Sequence, residues 1–66
     1  MLGTIIRLNP GGFGFIAPAD GGREVFFHCS ELDGLEFDAL LTERRVEYEV
    51  VTGDRGFRAT NVRAAN

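Results

Sequence analysis

The first apolar run covers residues 2–9, is rich in β-branched side chains, and stops at Asn9-Pro10-Gly11-Gly12. Such a cluster turns the chain, so the run predicts a strand followed by a tight turn. A second run, 13–17, closes at Pro18-Ala19-Asp20-Gly21-Gly22, and a third follows at 24–28. Short Gly-rich connections between such runs predict hairpins. Residues 45–52 alternate, with Val46, Tyr48 and Val50 on one face and Glu47, Glu49 and Val51 on the other. That is the period of a half-buried strand. Gly53-Asp54-Arg55-Gly56 is a turn signal, and 57–63 is the last strand, with Ala59 and Asn61 expected on one face and Thr60 and Val62 on the other.

The stretch 30–44 is the least regular. Ser30 with Asp33 is a candidate cap for a single helical turn. Phe37, Leu40 and Leu41 fall at helical spacing, which allows a short helix near 36–44, although Gly34 and the short length count against it. Five short strands in 66 residues predict an all-β fold, a compact closed or nearly closed antiparallel barrel. The length sets one domain, 1–66, rather than two.

A small barrel has one inside. Alternation places Ile16, Val25 and Phe27 there, with Val46, Tyr48 and Val50. Phe13, Phe15, Phe26 and His28 are then left together on the outer face of two neighbouring strands. Three phenylalanines and an imidazole on one face form an apolar patch that calls for a partner. Flat rings at strand spacing suit unpaired bases, each stack contributing roughly 1–3 kcal/mol with little sequence preference. Gly14, between two of the rings, is expected to leave the backbone open to close approach. The alternative, a sheet whose Phe13 and Phe15 lie under a covering helix, lacks a convincing amphipathic helix in this chain.

Composition narrows the classes. The chain is 44% hydrophobic and 26% charged, which is ordinary for a globular domain and excludes wholesale disorder. Cys29 is the single cysteine, which excludes an internal disulfide and a multi-cysteine metal site. Its place in the sequence suggests a small apolar residue rather than a reactive thiol. The acidic residues from Glu31 to Asp38 lack calcium-loop spacing and read as a solvated loop. No nucleophile–base pairing and no phosphate-cradling loop is present, so no enzyme, cofactor or metal is expected. A secretory signal and an apolar run of about 20 residues are both lacking, so the expected location is the cytoplasm.

The net charge of −3 argues mildly against a nucleic-acid binder that works mainly by charge. Its distribution changes the picture. Charges cancel over 1–29 (Arg7 and Arg23 against Asp20 and Glu24), total −5 over 30–49 (seven acids against Arg44 and Arg45), and total +2 over 50–66 (Arg55, Arg58 and Arg63 against Asp54). Acid is thus concentrated in the middle of the chain. Every basic residue is Arg, which stacks on bases and forks onto phosphates.

Gly12-Phe13-Gly14-Phe15-Ile16 and Val25-Phe26-Phe27-His28 resemble the two RNP-type motifs of the cold-shock domain. Gly3-Thr4-Ile5, Asn9, Ser30, Arg55-Gly56 and Ala59-Thr60-Asn61-Val62 extend the resemblance over nearly the whole chain. It implies a five-stranded OB-fold barrel that binds single-stranded RNA or DNA on its aromatic face, and a role as an RNA chaperone or a regulator of transcription or translation. The stacking positions it implies are Phe13, Phe15, Phe26, His28 and Phe37, with Arg55 near the backbone and Asn9 contacting bases or bracing the loop.

Four departures stand out against that family. Ile6-Arg7-Leu8 stands where Lys-Trp-Phe is usual, so Arg7 takes the place of the main stacking ring. The first turn is one residue shorter, with Gly11 where a lysine is usual. Cys29 replaces an aromatic, and Phe57 replaces a proline and adds a ring. Loss of one or two stacks corresponds to about ten- to a thousandfold weaker binding. A protein-interaction module on the same fold, its aromatic patch meeting another protein, is therefore the competing expectation. A monomer is expected, with no membrane or small-molecule partner.

Overall fold

The structure, a computed structural model, describes residues 1–37, 42–53 and 56–65. Five strands follow one another: β1 (Leu2–Asn9), β2 (Phe13–Pro18), β3 (Val25–His28), β4 (Arg45–Gly53) and β5 (Gly56–Ala64), with a single 3-10 turn at Cys29–Glu31 after β3. They close into a barrel in the order β1-β2-β3-β5-β4. The strands fall within a residue of the spans expected from alternation, and the first two Gly- and Pro-rich clusters do form turns. In the first turn the Gly12 amide donates to the Asn9 carbonyl at 3.0 Å, with Gly12 at φ +93°. A left-handed conformation of this kind suits glycine.

The β1–β2, β2–β3, β1–β4 and β4–β5 seams are antiparallel. The seam between β3 and β5 is parallel and carries one paired position, Phe26 opposite Arg58. β3 and β5 run in the same direction because the long 29–44 connection separates β3 from the β4–β5 hairpin. The start of that connection packs back on the barrel: Leu32 bridges Val62, and the Asp33 amide donates to the Val62 carbonyl at 2.7 Å.

The core is Ile5, Ile16, Val25, Phe27, Val46, Tyr48, Ala59 and Val62, with Leu8, Leu32, Leu35, Phe37 and Val50 packed partly buried against it. The six residues placed inside by alternation are all in this set. Val62 is not where the simple alternation of β5 put it. Ala59 and Val62 are both buried, three residues apart. Asn61 has φ +51°, and Thr60 and Arg63 on β5 oppose Glu49 and Glu47 on β4. One extra residue on β5 forms a bulge that flips the phase of everything after it.

The single turn after β3 also differs from the expected cap. It spans Cys29–Glu31, and its N-cap is His28, whose side chain accepts from the Ser30 amide. Ser30 is therefore the donor inside the turn, because the ring nitrogen two residues earlier reaches that amide. Leu40 and Leu41, which carried the helical spacing near 36–44, lie outside the described residues.

Candidate nucleic-acid interface

β2 and β3 set the site. Their register pairs Phe13 with His28 and Phe15 with Phe26. Ile16, Val25 and Phe27 point into the barrel, so the alternate positions on both strands point out. The three rings meet on that outer face. Phe13 and Phe26 have centroids 5.6 Å apart at 33°, Phe15 and Phe26 5.9 Å at 71°, and Phe13 and Phe15 6.2 Å at 86°. All three are half-buried, held by one another and by the sheet beneath, and His28 beside them is exposed. Two of the three pairs are edge-to-face, an arrangement that leaves ring faces free for a further flat group.

Gly14 has a different role from the one expected. A Cβ there would lie 2.5 Å from the Arg7 carbonyl oxygen and 2.8 Å from the Phe27 ring, so the missing side chain is on the inner side. The glycine opens space for the core ring rather than for a ligand.

A second bulge places Arg7. Ile5 pairs with Ile16 but Arg7 pairs with Phe15, so β1 carries one extra residue at Ile6. The shift brings Arg7 to the outer face, its guanidinium 5.4 Å from the centre of the Phe15 ring. Arg7 Nη2 also donates to Glu24 Oε1 at 3.3 Å. Because β2 lies between β1 and β3, this side chain crosses above β2 and borders one end of the ring cluster. At the other end the Ser30 amide donates to His28 Nδ1 at 3.1 Å, and Ser30 Oγ lies 2.9 Å from the same atom. An accepting Nδ1 leaves Nε2 as the donor of the ring.

The other expected positions are placed as follows. Asn9 braces the first turn: its Oδ1 accepts from the Gly11 amide at 2.8 Å. Phe37 packs against the core from the loop. Phe57 is 53% exposed and lines a groove with Phe26, Val51, Thr52, Gly53, Gly56 and Arg58. Arg55 lies outside the described residues. Cys29 is half-buried, with Sγ 3.8 Å from His28 Nδ1.

Arg58 was missed by the sequence reading. It is exposed, stands opposite Phe26 and shares the groove, and it makes no ion pair among the described residues. Alternation from the buried Ala59 puts it outward, but only the parallel seam brings it beside the rings. Acid is gathered on the β4–β5 face instead. There Arg63 pairs with Glu47 at 3.3 Å and Glu49 at 3.6 Å. A hydrogen bond from Asn61, aided by Arg63, holds the Glu49 carboxyl below its ordinary value.

With two aromatic strands on a closed five-stranded barrel, comparison with known proteins is decisive. Residues 1–65 match the model of the "Cold-shock" DNA-binding domain. The chain belongs to the cold-shock domain family. The cold shock-like protein CspC of Escherichia coli strain K12 is 47% identical over 53 residues, 80% of this chain and 77% of the relative. A cold shock protein A of Mycolicibacterium smegmatis is 48% identical over 52 residues, 79% of this chain and 78% of the relative. Among solved structures, drosophila Unr CSD456 superposes with a TM-score of 0.80 at 26% identity over 98% of this chain, which corresponds to 26% of that one. Cold-shock domains are nucleic-acid-binding, and the barrel here is the OB-fold of that family.

Proposed function

We propose that this cold-shock domain binds single-stranded RNA or DNA by stacking unpaired bases on Phe13, Phe15, Phe26 and His28. The observation that supports this most directly is the outward ring cluster, with all centroid separations between 5.6 and 6.2 Å. Base edges stay hydrogen-bonded to water or to neighbouring side chains while the faces desolvate against the rings. Phe57 and Arg58 extend the surface past Phe26, Arg7 borders it, Asn9 keeps the first turn in shape, and Phe37 and Arg55 are further contact residues by family resemblance alone. The chain acts as one domain, 1–66, monomeric and cytoplasmic, without catalysis or cofactor. A protein that traps unpaired bases disfavours base-paired RNA, which is the physical content of an RNA-chaperone or regulatory role.

Arg7 is neutralised by Glu24, which supports a second reading in which phosphate attraction is weak and the rings meet a protein partner. Titration of fluorescein-labelled heptathymidine and heptauridine, followed by anisotropy, separates the two. Saturable binding with a shallow salt slope is expected, since stacking rather than counterion release supplies the affinity. No binding even at low salt overturns the nucleic-acid reading in favour of the protein-partner one.

A further inference from the structure

Arg7 and Glu24 stand at the border of the ring cluster as a donor fork beside an acceptor pair. The guanidinium uses one N–H on Glu24 at 3.3 Å, and the remaining donors are unengaged among the described residues. Both side chains are open to solvent, 67% and 45% exposed. Exposed pairs of this kind hold each other weakly, so they exchange their mutual contact for the edge of a ligand with little loss. The cation stands over the Phe15 ring, 5.4 Å from its centroid and within the roughly 6 Å of a cation–π contact. A base that stacks on Phe15 therefore takes its place beside the guanidinium and meets its unengaged donors.

A base stacked beside Phe15 and Phe26 turns an edge toward this pair. Guanine alone offers two adjacent acceptors, O6 and N7, on one edge and two adjacent donors, N1–H and the 2-amino group, on the next. The first pair fits the guanidinium fork and the second the carboxylate, each as a two-bond contact. Thymine and uracil offer one N–H between two carbonyls, and adenine and cytosine each offer a single amino group. Any of these leaves one member of the ion pair half-satisfied. Unpaired strands expose both edges to reading.

We infer that Arg7 and Glu24 read the edge of a base stacked beside Phe15 and make guanine the preferred base at that position. The inference rests on the binding reading above. It gives a surface that otherwise stacks any base a point of sequence preference.

The test uses labelled hexathymidine and the same oligonucleotide with one internal dG, one inosine (no 2-amino group) or one 7-deaza-dG (no N7). The native chain is expected to bind the dG oligonucleotide about tenfold tighter than hexathymidine. Inosine and 7-deaza-dG should each lose part of that ratio. Glu24→Ala should abolish the difference between dG and inosine, and Arg7→Met the difference between dG and 7-deaza-dG, whatever their absolute affinities. Melting temperatures confirm that both variants fold. Equal affinity for dG and dT oligonucleotides, or a guanine preference that survives both substitutions, overturns the inference while the binding reading stands. Failure to bind any of the four overturns the binding reading itself.

Discussion

The ring of Phe27 lies 2.8 Å from the point where a Cβ on Gly14 would stand. A core side chain on β3 thus occupies the space that any other residue on β2 would need. Gly14→Ala is expected to destabilise the fold by about 1–3 kcal/mol, the range for overpacking a tight interior. The reading is a lower urea midpoint at unchanged slope. An unaltered midpoint would show that both the Phe27 ring and the Arg7 backbone, 2.5 Å from the same point, give way freely.

Phe26 and Phe27 are neighbours in sequence with opposite expected outcomes. Phe27 is fully buried, and Phe27→Ala should remove about 3–5 kcal/mol of stability. A chain of this size has only roughly 3–10 kcal/mol in all. Phe26 is half-buried on the outer face, and Phe26→Ala should weaken oligonucleotide binding by about 1–3 kcal/mol with a smaller effect on melting. Melting curves and titrations of both variants decide it. A Phe27→Ala chain that melts like the native one would invert the two faces.

Tyr48 is fully buried, and its hydroxyl has no hydrogen-bond partner among the described residues. Burial, and after it the charge of Asp20, pushes the phenol above its ordinary value. The folded chain therefore favours the neutral phenol more than the unfolded chain does. This contribution is complete below the unfolded value of about 10 and is lost as the pH rises through the raised folded value. Tyr48→Phe removes an unsatisfied hydroxyl, so stability at neutral pH should stay level or rise by about 1 kcal/mol, and the alkaline loss should shrink. Urea midpoints at neutral and alkaline pH measure both. A marked loss at neutral pH would reveal a partner for the hydroxyl.

Arg7→Trp should tighten binding of oligothymidine. Arg7 already borders Phe15, so a larger flat side chain there adds surface to the cluster. One added stack contributes about 1–3 kcal/mol. The lost charge matters less, because Glu24 already offsets it and salt screens exposed charges within about 8 Å. Dissociation constants for one oligothymidine decide it, and unchanged or weaker binding would mean that the bound strand does not reach Arg7.

The strands and the outer ring cluster were legible because both follow from period-two alternation between glycine and proline breaks. Alternation fails wherever a residue is inserted into one strand alone. Ile6 and Asn61 are such insertions; Ile6 has no side-chain signal that separates a bulge from a continuous strand, and at Asn61 the one hint is that Asn tolerates a left-handed backbone. Counting by twos therefore misplaces Val62, and it leaves Arg7 on the face of Ile5. Arg58 escaped notice for another reason: its neighbour Phe26 is far away in sequence, and a parallel seam of one paired position leaves no pattern in either strand. The cap on the 3-10 turn went to His28 rather than Ser30 because an imidazole nitrogen serves as acceptor as well as a hydroxyl does.

The β3–β5 seam makes the barrel a hoop with a single rung at its clasp, and that rung is Phe26 opposite Arg58. A strand of nucleic acid lying on Phe26 and reaching Arg58 would span the clasp from outside. Occupancy would then fasten the hoop, so resistance to unfolding would grow with ligand concentration, by about 2.7 kcal/mol at a hundredfold excess over Kd. Such a domain would be sturdiest while its outer face is occupied.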